Sequence, residues 1–93
     1  MNEINEKFLP IGTIVKLKKS DALFMIAGYS ASLKKDKNKK YDYMSYIYPI
    51  GFNSKEDNYV FNYGDIEKIV FYGYKDKSYN NMLNIIGGDK NDR

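Results

Sequence analysis

Turn-forming residues divide this chain into five short runs, each about the length of a β-strand. Residues 13–18 alternate, with Thr13, Val15 and Leu17 on one face and lysines on the other. That period of two predicts a strand with one buried face. Residues 22–29 form a continuous apolar run between turn signals, which predicts a central strand buried on both faces.

Three further strands are predicted downstream, at residues 41–48, 59–61 and 68–74. Pro49 ends the first of them, because proline has no backbone N–H to donate to a sheet. Residues 19–21 predict a hairpin turn, and residues 51–58 predict a polar loop. The lysine-rich residues 30–40 predict a mobile connection between the second and third strands.

Two helical segments complete the predicted secondary structure. Residues 62–67 predict a single helical turn capped by Asn62 or Asp65. A C-terminal helix capped by Asp76 or Ser78 is predicted from apolar side chains at helical spacing, namely Tyr79, Met82, Leu83 and Ile86. Two consecutive glycines at 87 and 88 are expected to end this helix.

The predicted fold is therefore mainly β with a short C-terminal helix. A bent antiparallel five-stranded sheet and a small SH3-like barrel both fit this order of elements. With 93 residues the chain has room for one small core. We expect a single domain at 8–88, a polar lead-in at 1–7 and a charged tail at 89–93.

The composition argues against most kinds of catalytic site. The chain has no Cys and no His, which removes the usual nucleophile–base pairs and most metal ligands. Two carboxylate pairs, Glu56 with Asp57 and Asp65 with Glu67, fall in predicted turns, where acidic residues commonly cap or solvate a loop. We expect a protein that is not an enzyme and that binds no cofactor or metal.

The cellular location of the protein is predicted from its N-terminal residues and from the length of its apolar runs. The first seven residues are polar and acidic, unlike a signal peptide, and no apolar run approaches the roughly 20 residues that span a bilayer. We expect a cytoplasmic protein with no membrane partner.

The densest aromatic region is the predicted third strand and the turn that follows it. Alternation places Tyr41 and Tyr43 on one face and Tyr46 and Tyr48 on the other, with Phe52 just beyond. One face of this strand is expected in the core, and a core this small leaves the other accessible. Because tyrosine combines a large apolar ring with a hydroxyl, these five residues are the predicted contact for a protein partner.

A second surface is suggested by charge. Residues 34–40 hold five lysines and one aspartate, whereas the whole chain carries a net charge of only +3. Lysines beside aromatic side chains are typical of small barrels that bind nucleic acid. The 12 acidic residues of the chain, and the absence of arginine before Arg93, argue against this class. Nucleic-acid binding by a small barrel is retained as one alternative function.

Four strings of the chain resemble a known family. They are Leu-Pro-Ile-Gly-Thr-Ile-Val at 9–15, Phe-Met-Ile-Ala-Gly at 24–28, Tyr-Asp-Tyr at 41–43 with Tyr-Pro-Ile-Gly at 48–51, and Phe-Asn at 61–62 leading to Asp-Ile at 65–66 and Phe-Tyr-Gly-Tyr at 71–74. Together they resemble a small Firmicute family known only as a domain of unknown function, over roughly residues 8–76. Ile50 departs from the acidic residue expected there, and the segment 34–40 is unusually basic.

This resemblance implies an accessory function. Members of the family are typically encoded beside LXG polymorphic toxins of type VII secretion systems. The resemblance implies a chaperone or targeting adaptor whose partner is an LXG toxin or its helical accessory protein. An immunity protein for a toxin of the same locus is the other alternative.

Overall fold

The computed structural model describes residues 8–33, 36–54 and 58–91. Its strands are β1 (Ile14–Leu17), β2 (Leu23–Leu33), β3 (Asp36–Tyr48), β4 (Tyr59–Phe61) and β5 (Ile66–Phe71), followed by the helix α1 (Lys77–Asn91). The strands form one antiparallel sheet in the order β4-β3-β2-β1-β5. The predicted mainly β fold with a terminal helix is confirmed. The sheet is open and does not close into a barrel.

The connection from β4 to β5 gives the sheet its bend. A single 3-10 turn, Tyr63–Asp65, joins the two strands that lie at opposite edges of the sheet. The carboxylate of Asp65 accepts a 2.9 Å hydrogen bond from the backbone N–H of Asn62, and the Asp65 carbonyl accepts one of 2.9 Å from the N–H of Lys18. The predicted helical turn at this position is confirmed.

The long β2–β3 ribbon corrects one prediction. Residues 30–40 were expected to form a mobile connection, but most of them extend β2 and β3, with Ser32 opposite Lys40. Residues 34 and 35 lie outside the described part of the chain. The prediction relied on polar composition, whereas a hairpin ladder is held by backbone hydrogen bonds that any residue except proline can make.

The core lies on one face of the sheet. Its buried apolar side chains come from the N-terminal segment and four strands, and they are Leu9, Val15, Phe24, Ile26, Tyr43 and Phe61. Two buried hydroxyls are satisfied within it: Ser45 donates to the Tyr59 carbonyl at 3.0 Å, and Thr13 accepts from the N–H of Gly73 at 2.9 Å. The predicted inward face of β1, which includes Val15, is confirmed.

The central strand β2 is buried on only one of its faces. Phe24 and Ile26 point into the core, but Leu23 and Met25 on the opposite face keep partial exposure to solvent. The prediction that this run is buried on both faces is therefore wrong. A single layer packed over a sheet needs only one apolar face, so the second apolar face of β2 requires another explanation.

Three tyrosine hydroxyls hold the N-terminal segment against the sheet. The hydroxyl of Tyr43 accepts a 3.0 Å hydrogen bond from the N–H of Leu9, and the hydroxyl of Tyr29 donates to the Leu9 carbonyl. The hydroxyl of Tyr79, on α1, donates to the Phe8 carbonyl at 2.6 Å. We call these three side chains the tyrosine clamp. They supply hydrogen bonds that a segment outside the sheet could not otherwise obtain once buried.

The helix α1 begins as predicted and ends later than predicted. The carboxylate of Asp76 accepts hydrogen bonds from the N–H groups of Ser78 and Tyr79, at 2.9 and 3.2 Å, which is an N-cap. The helix continues through Gly87 and Gly88, which were expected to end it. Glycine in a helix costs only about 1 kcal/mol, so it permits termination without enforcing it.

The ends of the chain were predicted from composition alone. Residues 1–7, 92 and 93 lie outside the described residues, whereas the first three positions of the predicted charged tail belong to α1. Within the described chain, no helix is both long enough and apolar enough to cross a membrane.

Gly73 packs where the β5 end meets the start of β1. A Cβ at this position would lie 2.3 Å from the carbonyl oxygen of Ile11 and 2.9 Å from the backbone N of Thr13. We expect Gly73→Ala to lower the free energy of unfolding by about 2–3 kcal/mol, because backbone atoms must move apart. Urea denaturation measures this. The control is Gly64→Ala, where no described atom lies within 4 Å of the added Cβ, and a change above about 0.5 kcal/mol there would contradict the packing account.

Stability should fall at alkaline pH because of the tyrosine clamp. Burial raises the pKa of Tyr29 to about 12, and burial raises that of Tyr43 further above its ordinary value. Both phenols keep their protons in the folded state at pH values where the unfolded chain has lost them. Their stabilisation is therefore complete below pH 10 and is lost as the pH rises through the folded-state values.

We expect the free energy of unfolding to decrease above pH 10 by at most about 1.4 kcal/mol per pH unit for each phenol, and by less for Tyr29, which is partly solvated. Urea unfolding at intervals between pH 8 and 12 gives the slope. Tyr43→Phe should be less stable at neutral pH yet show a flatter decline. An unchanged slope would mean that Tyr43 titrates alike in both states.

Candidate partner-binding surface

The structure separates the five predicted contact residues into different environments. Tyr46 and Tyr48 lie on the face of the sheet opposite the core, and the ring of Phe52 packs edge-on against Tyr46 at a centroid distance of 5.7 Å. Tyr48 and Phe52 are 47% and 63% exposed. Tyr41 is half-buried on the other face, with the Lys39 Nζ 5.7 Å from its ring centroid.

Tyr43 is a core residue. It is fully buried, its ring packs 5.4 Å from that of Phe61, and its hydroxyl belongs to the tyrosine clamp. The sequence predicted one buried face for β3 but did not identify which tyrosines would occupy it. Tyr43 is therefore inaccessible to a partner and is left out of the surface described next.

The face opposite the core carries a row of apolar side chains across four strands. Strand register sets Phe71 of β5 opposite Ile14 of β1, Ile14 opposite Met25 of β2, and Met25 opposite Tyr46 of β3. A second row lies on the same face, two residues away along β1, β2 and β3. It runs through Lys68, Lys16, Leu23 and Tyr48. We call the apolar members of both rows, together with Phe52, the outer face.

Sequence reasoning found only part of the outer face. Leu23 and Met25 are in an apolar run whose sequence does not distinguish two faces. Phe71 was placed in a predicted strand whose neighbour in the sheet was not predicted. Alternation in β1 does place Ile14 opposite the core, which was a usable signal. Phe71 joins the surface through pairing of β1 with a strand more than 50 residues later in the chain, which no local pattern encodes.

The outer face is large for a small protein. Neighbouring strands lie about 4.8 Å apart, so the row from β3 to β5 is about 14 Å wide. Its members are half-buried or exposed, and Phe71 is 59% exposed. A contiguous apolar surface that remains open to solvent is typical of interaction sites.

A cluster of charged side chains borders the outer face, and we call it the lysine corner. Lys16 of β1 lies opposite Lys68 of β5, and Lys16 Nζ forms an ion pair of 2.9 Å with Glu67. The hydrogen bond and charge of Lys16, with smaller contributions from Lys68 and Lys18, lower the pKa of Glu67. Three lysines therefore act on one carboxylate at this edge.

Both carboxylates of the predicted pair Asp65 and Glu67 have structural partners. Asp65 accepts the N–H of Asn62, and Glu67 is paired with Lys16. Glu56 and Asp57 lie outside the described residues. Across residues 8–33, 36–54 and 58–91, no group of three acidic, histidine or cysteine side chains is placed to hold a metal ion.

The basic segment is divided between the ribbon and residues that are not described. Lys39 and Lys40, near the start of β3, are exposed, and Lys34 and Lys35 lie outside the described chain. Residues 37–39 lie in an irregularity of the ladder, between the pairs Ser32–Lys40 and Leu33–Asp36. The Nζ of Lys39 lies over the ring of Tyr41.

Removal of exposed rings from the outer face should leave stability almost unchanged. We expect Tyr48→Ser combined with Phe52→Ser to alter the free energy of unfolding by less than about 1 kcal/mol, because solvent already reaches both rings. Phe24→Ala, a buried control, should cost about 3–5 kcal/mol. Urea denaturation compares them, and similar losses for both variants would place the two exposed rings in the core.

The comparisons with known proteins identify a family. A family model described as "Domain of unknown function (DUF4176)" matches residues 8–82, which include the N-terminal segment and all five strands. No curated protein and no solved structure showed a match. The resemblance to a family of unknown function is thereby confirmed at this level, and its link to LXG toxins stays a prediction. The chain belongs to the DUF4176 family.

Proposed function

We propose that this protein is a non-enzymatic adaptor that binds a protein partner through the outer face. The observation that carries this proposal is the apolar row from Phe71 to Tyr46, which is half-buried to exposed and lies opposite the core of a small one-layer sheet. A chain of this size gains little from apolar side chains that stay in water. Their concentration on one accessible face is accounted for if another molecule covers them.

The residue types support a protein partner. Aromatic residues and methionine are enriched in protein interfaces, and the outer face contains Tyr46, Tyr48, Phe52, Phe71 and Met25. Tyrosine and phenylalanine lose few rotamers when they are fixed at a contact. The proposed contact keeps Tyr46, Tyr48 and Phe52 from the sequence prediction and adds residues of three other strands.

Charge and chemistry support binding over catalysis. The described carboxylates nearest to the outer face have structural partners, with Glu67 held by Lys16. The nucleic-acid alternative receives less support, because Tyr41, the ring beside the basic segment, is half-buried and has the Lys39 Nζ 5.7 Å from its centroid. Single-stranded nucleic acids bind by stacking on accessible rings.

The identity of the partner rests on the sequence resemblance. Proteins of the resembled family are typically encoded beside LXG toxins, so we propose an LXG toxin as the partner and the cytoplasm as the place of binding. A chaperone or targeting adaptor would bind the N-terminal LXG region and be required for export. An immunity protein would bind the toxic C-terminal domain and protect the producing cell.

The test is co-purification of the tagged full-length protein with the LXG toxin of its own locus, using the two halves of the toxin separately. We expect the N-terminal half to be retained. Met25→Ser with Tyr46→Ser should reduce retention at least tenfold, because two central apolar contacts are lost.

The matched control is Ile85→Ser, at an exposed apolar side chain of α1, the helix that contacts the N-terminal segment through Tyr79. Circular dichroism and urea midpoints establish that each variant is folded. Retention of the C-terminal half alone would favour the immunity alternative. Equal retention by the outer-face variant and the control would place the contact elsewhere on the protein.

A further inference from the structure

The outer face presents side chains and little free backbone. Across the outer face β1 and β2 are paired on both sides, so their N–H and C=O groups are used in ladders, and β3 pairs with β2 there and with β4 only at residues 43–45. A partner cannot add a strand in the middle of this face, over β1 and β2. A helix fits this surface, because its backbone hydrogen bonds are internal and it offers only side chains.

The dimensions of the face set the length of such a helix. Met44, Tyr46 and Tyr48 share one side of β3, and Leu23 and Met25 run beside them on β2. Four residues of strand cover about 14 Å, which corresponds to about nine residues of α-helix. A helix of two to three turns lying along β2 and β3 would therefore cover the apolar centre.

The lysine corner lies along one side of that path. Lys16 is directly opposite Leu23, and Lys68 is the next residue outward in the same row. With Lys18 and Glu67, the corner holds three lysines and one carboxylate, which gives two net positive charges. A helix on β2 and β3 would bring one of its flanks to this corner.

We propose that the partner segment is an acidic amphipathic helix, with an apolar stripe on the outer face and carboxylates against the lysine corner. This inference rests on the proposed function, because it assigns the chemistry of the partner to the same surface. The apolar stripe supplies contact area. The carboxylates fix which flank of the helix meets β1 and β5, and exclude helices with basic flanks.

The experiment uses two synthetic helical peptides with the same apolar stripe, one with glutamates and one with lysines on the flank. Fluorescence anisotropy measures their binding to the full-length protein at low and at physiological salt. We expect the acidic peptide to bind at least tenfold more tightly, with a preference that weakens as salt rises.

Charge reversal tests the site itself. Lys18→Glu with Lys68→Glu should lower the affinity for the acidic peptide at least tenfold and raise that for the basic peptide. Lys75→Glu, at an exposed lysine outside the corner, is the matched control. Met25→Ser with Tyr46→Ser should weaken both peptides, because they share the apolar stripe.

Each other outcome overturns the inference in a recognisable way. Equal binding of both peptides, or no effect of charge reversal, would show that the lysine corner does not select the partner. Binding through the outer face would still stand. Failure of both peptides, with the toxin still bound through the outer face, would remove the helical occupant alone. Self-association that Met25→Ser with Tyr46→Ser abolishes in sedimentation experiments would assign the face to a second copy of this chain. If the toxin also fails to bind the full-length protein, the proposed function is wrong.

Discussion

The fold depends on how the backbone of the N-terminal segment is satisfied once Leu9 enters the core. A buried amide outside a sheet is costly, because neither water nor a neighbouring strand completes its hydrogen bonds. Here Tyr43 and Tyr29 complete them from two adjacent strands, and Tyr79 joins α1 to the same segment. The clamp thereby connects the N-terminal segment, the paired strands β2 and β3, and α1. It also uses the tyrosines of one sheet face for structure.

The tyrosines of the clamp and the tyrosines of the outer face have different environments. Tyrosines 29 and 43 are adjacent partners on the core face, whereas Tyr46 and Tyr48 face outward beside Met25 and Leu23. One residue type thus performs two tasks on one pair of strands. The core face is covered by the N-terminal segment, and the outer face keeps apolar side chains in contact with solvent. The proposed partner surface rests on that asymmetry and not on the number of tyrosines.

The sequence predicted elements well where a local signal was strong. Tyr59–Phe61 is observed with its predicted bounds, and Asp76 caps α1 as expected. The β2–β3 ribbon was missed, because its polar residues resemble a loop and only pairing with each other makes them strands. The outer face was predicted in part, since alternation gives the side of a strand but not the neighbour that register places beside it. Tyr43 was misjudged for a related reason: the hydrogen bond to Leu9 spans 34 positions and leaves no local pattern.

The pairing of β1 with β5 has a consequence for how the protein is made. β1 can pair with β2 soon after residue 33 leaves the ribosome, but its other edge stays open until residue 71 has been synthesised. At about 5–20 residues per second, nascent chains hold that open edge for a few seconds. During this interval the outer-face side chains Ile14 and Met25 adjoin an unpaired strand. A partner present at translation would therefore meet this surface before the sheet is complete.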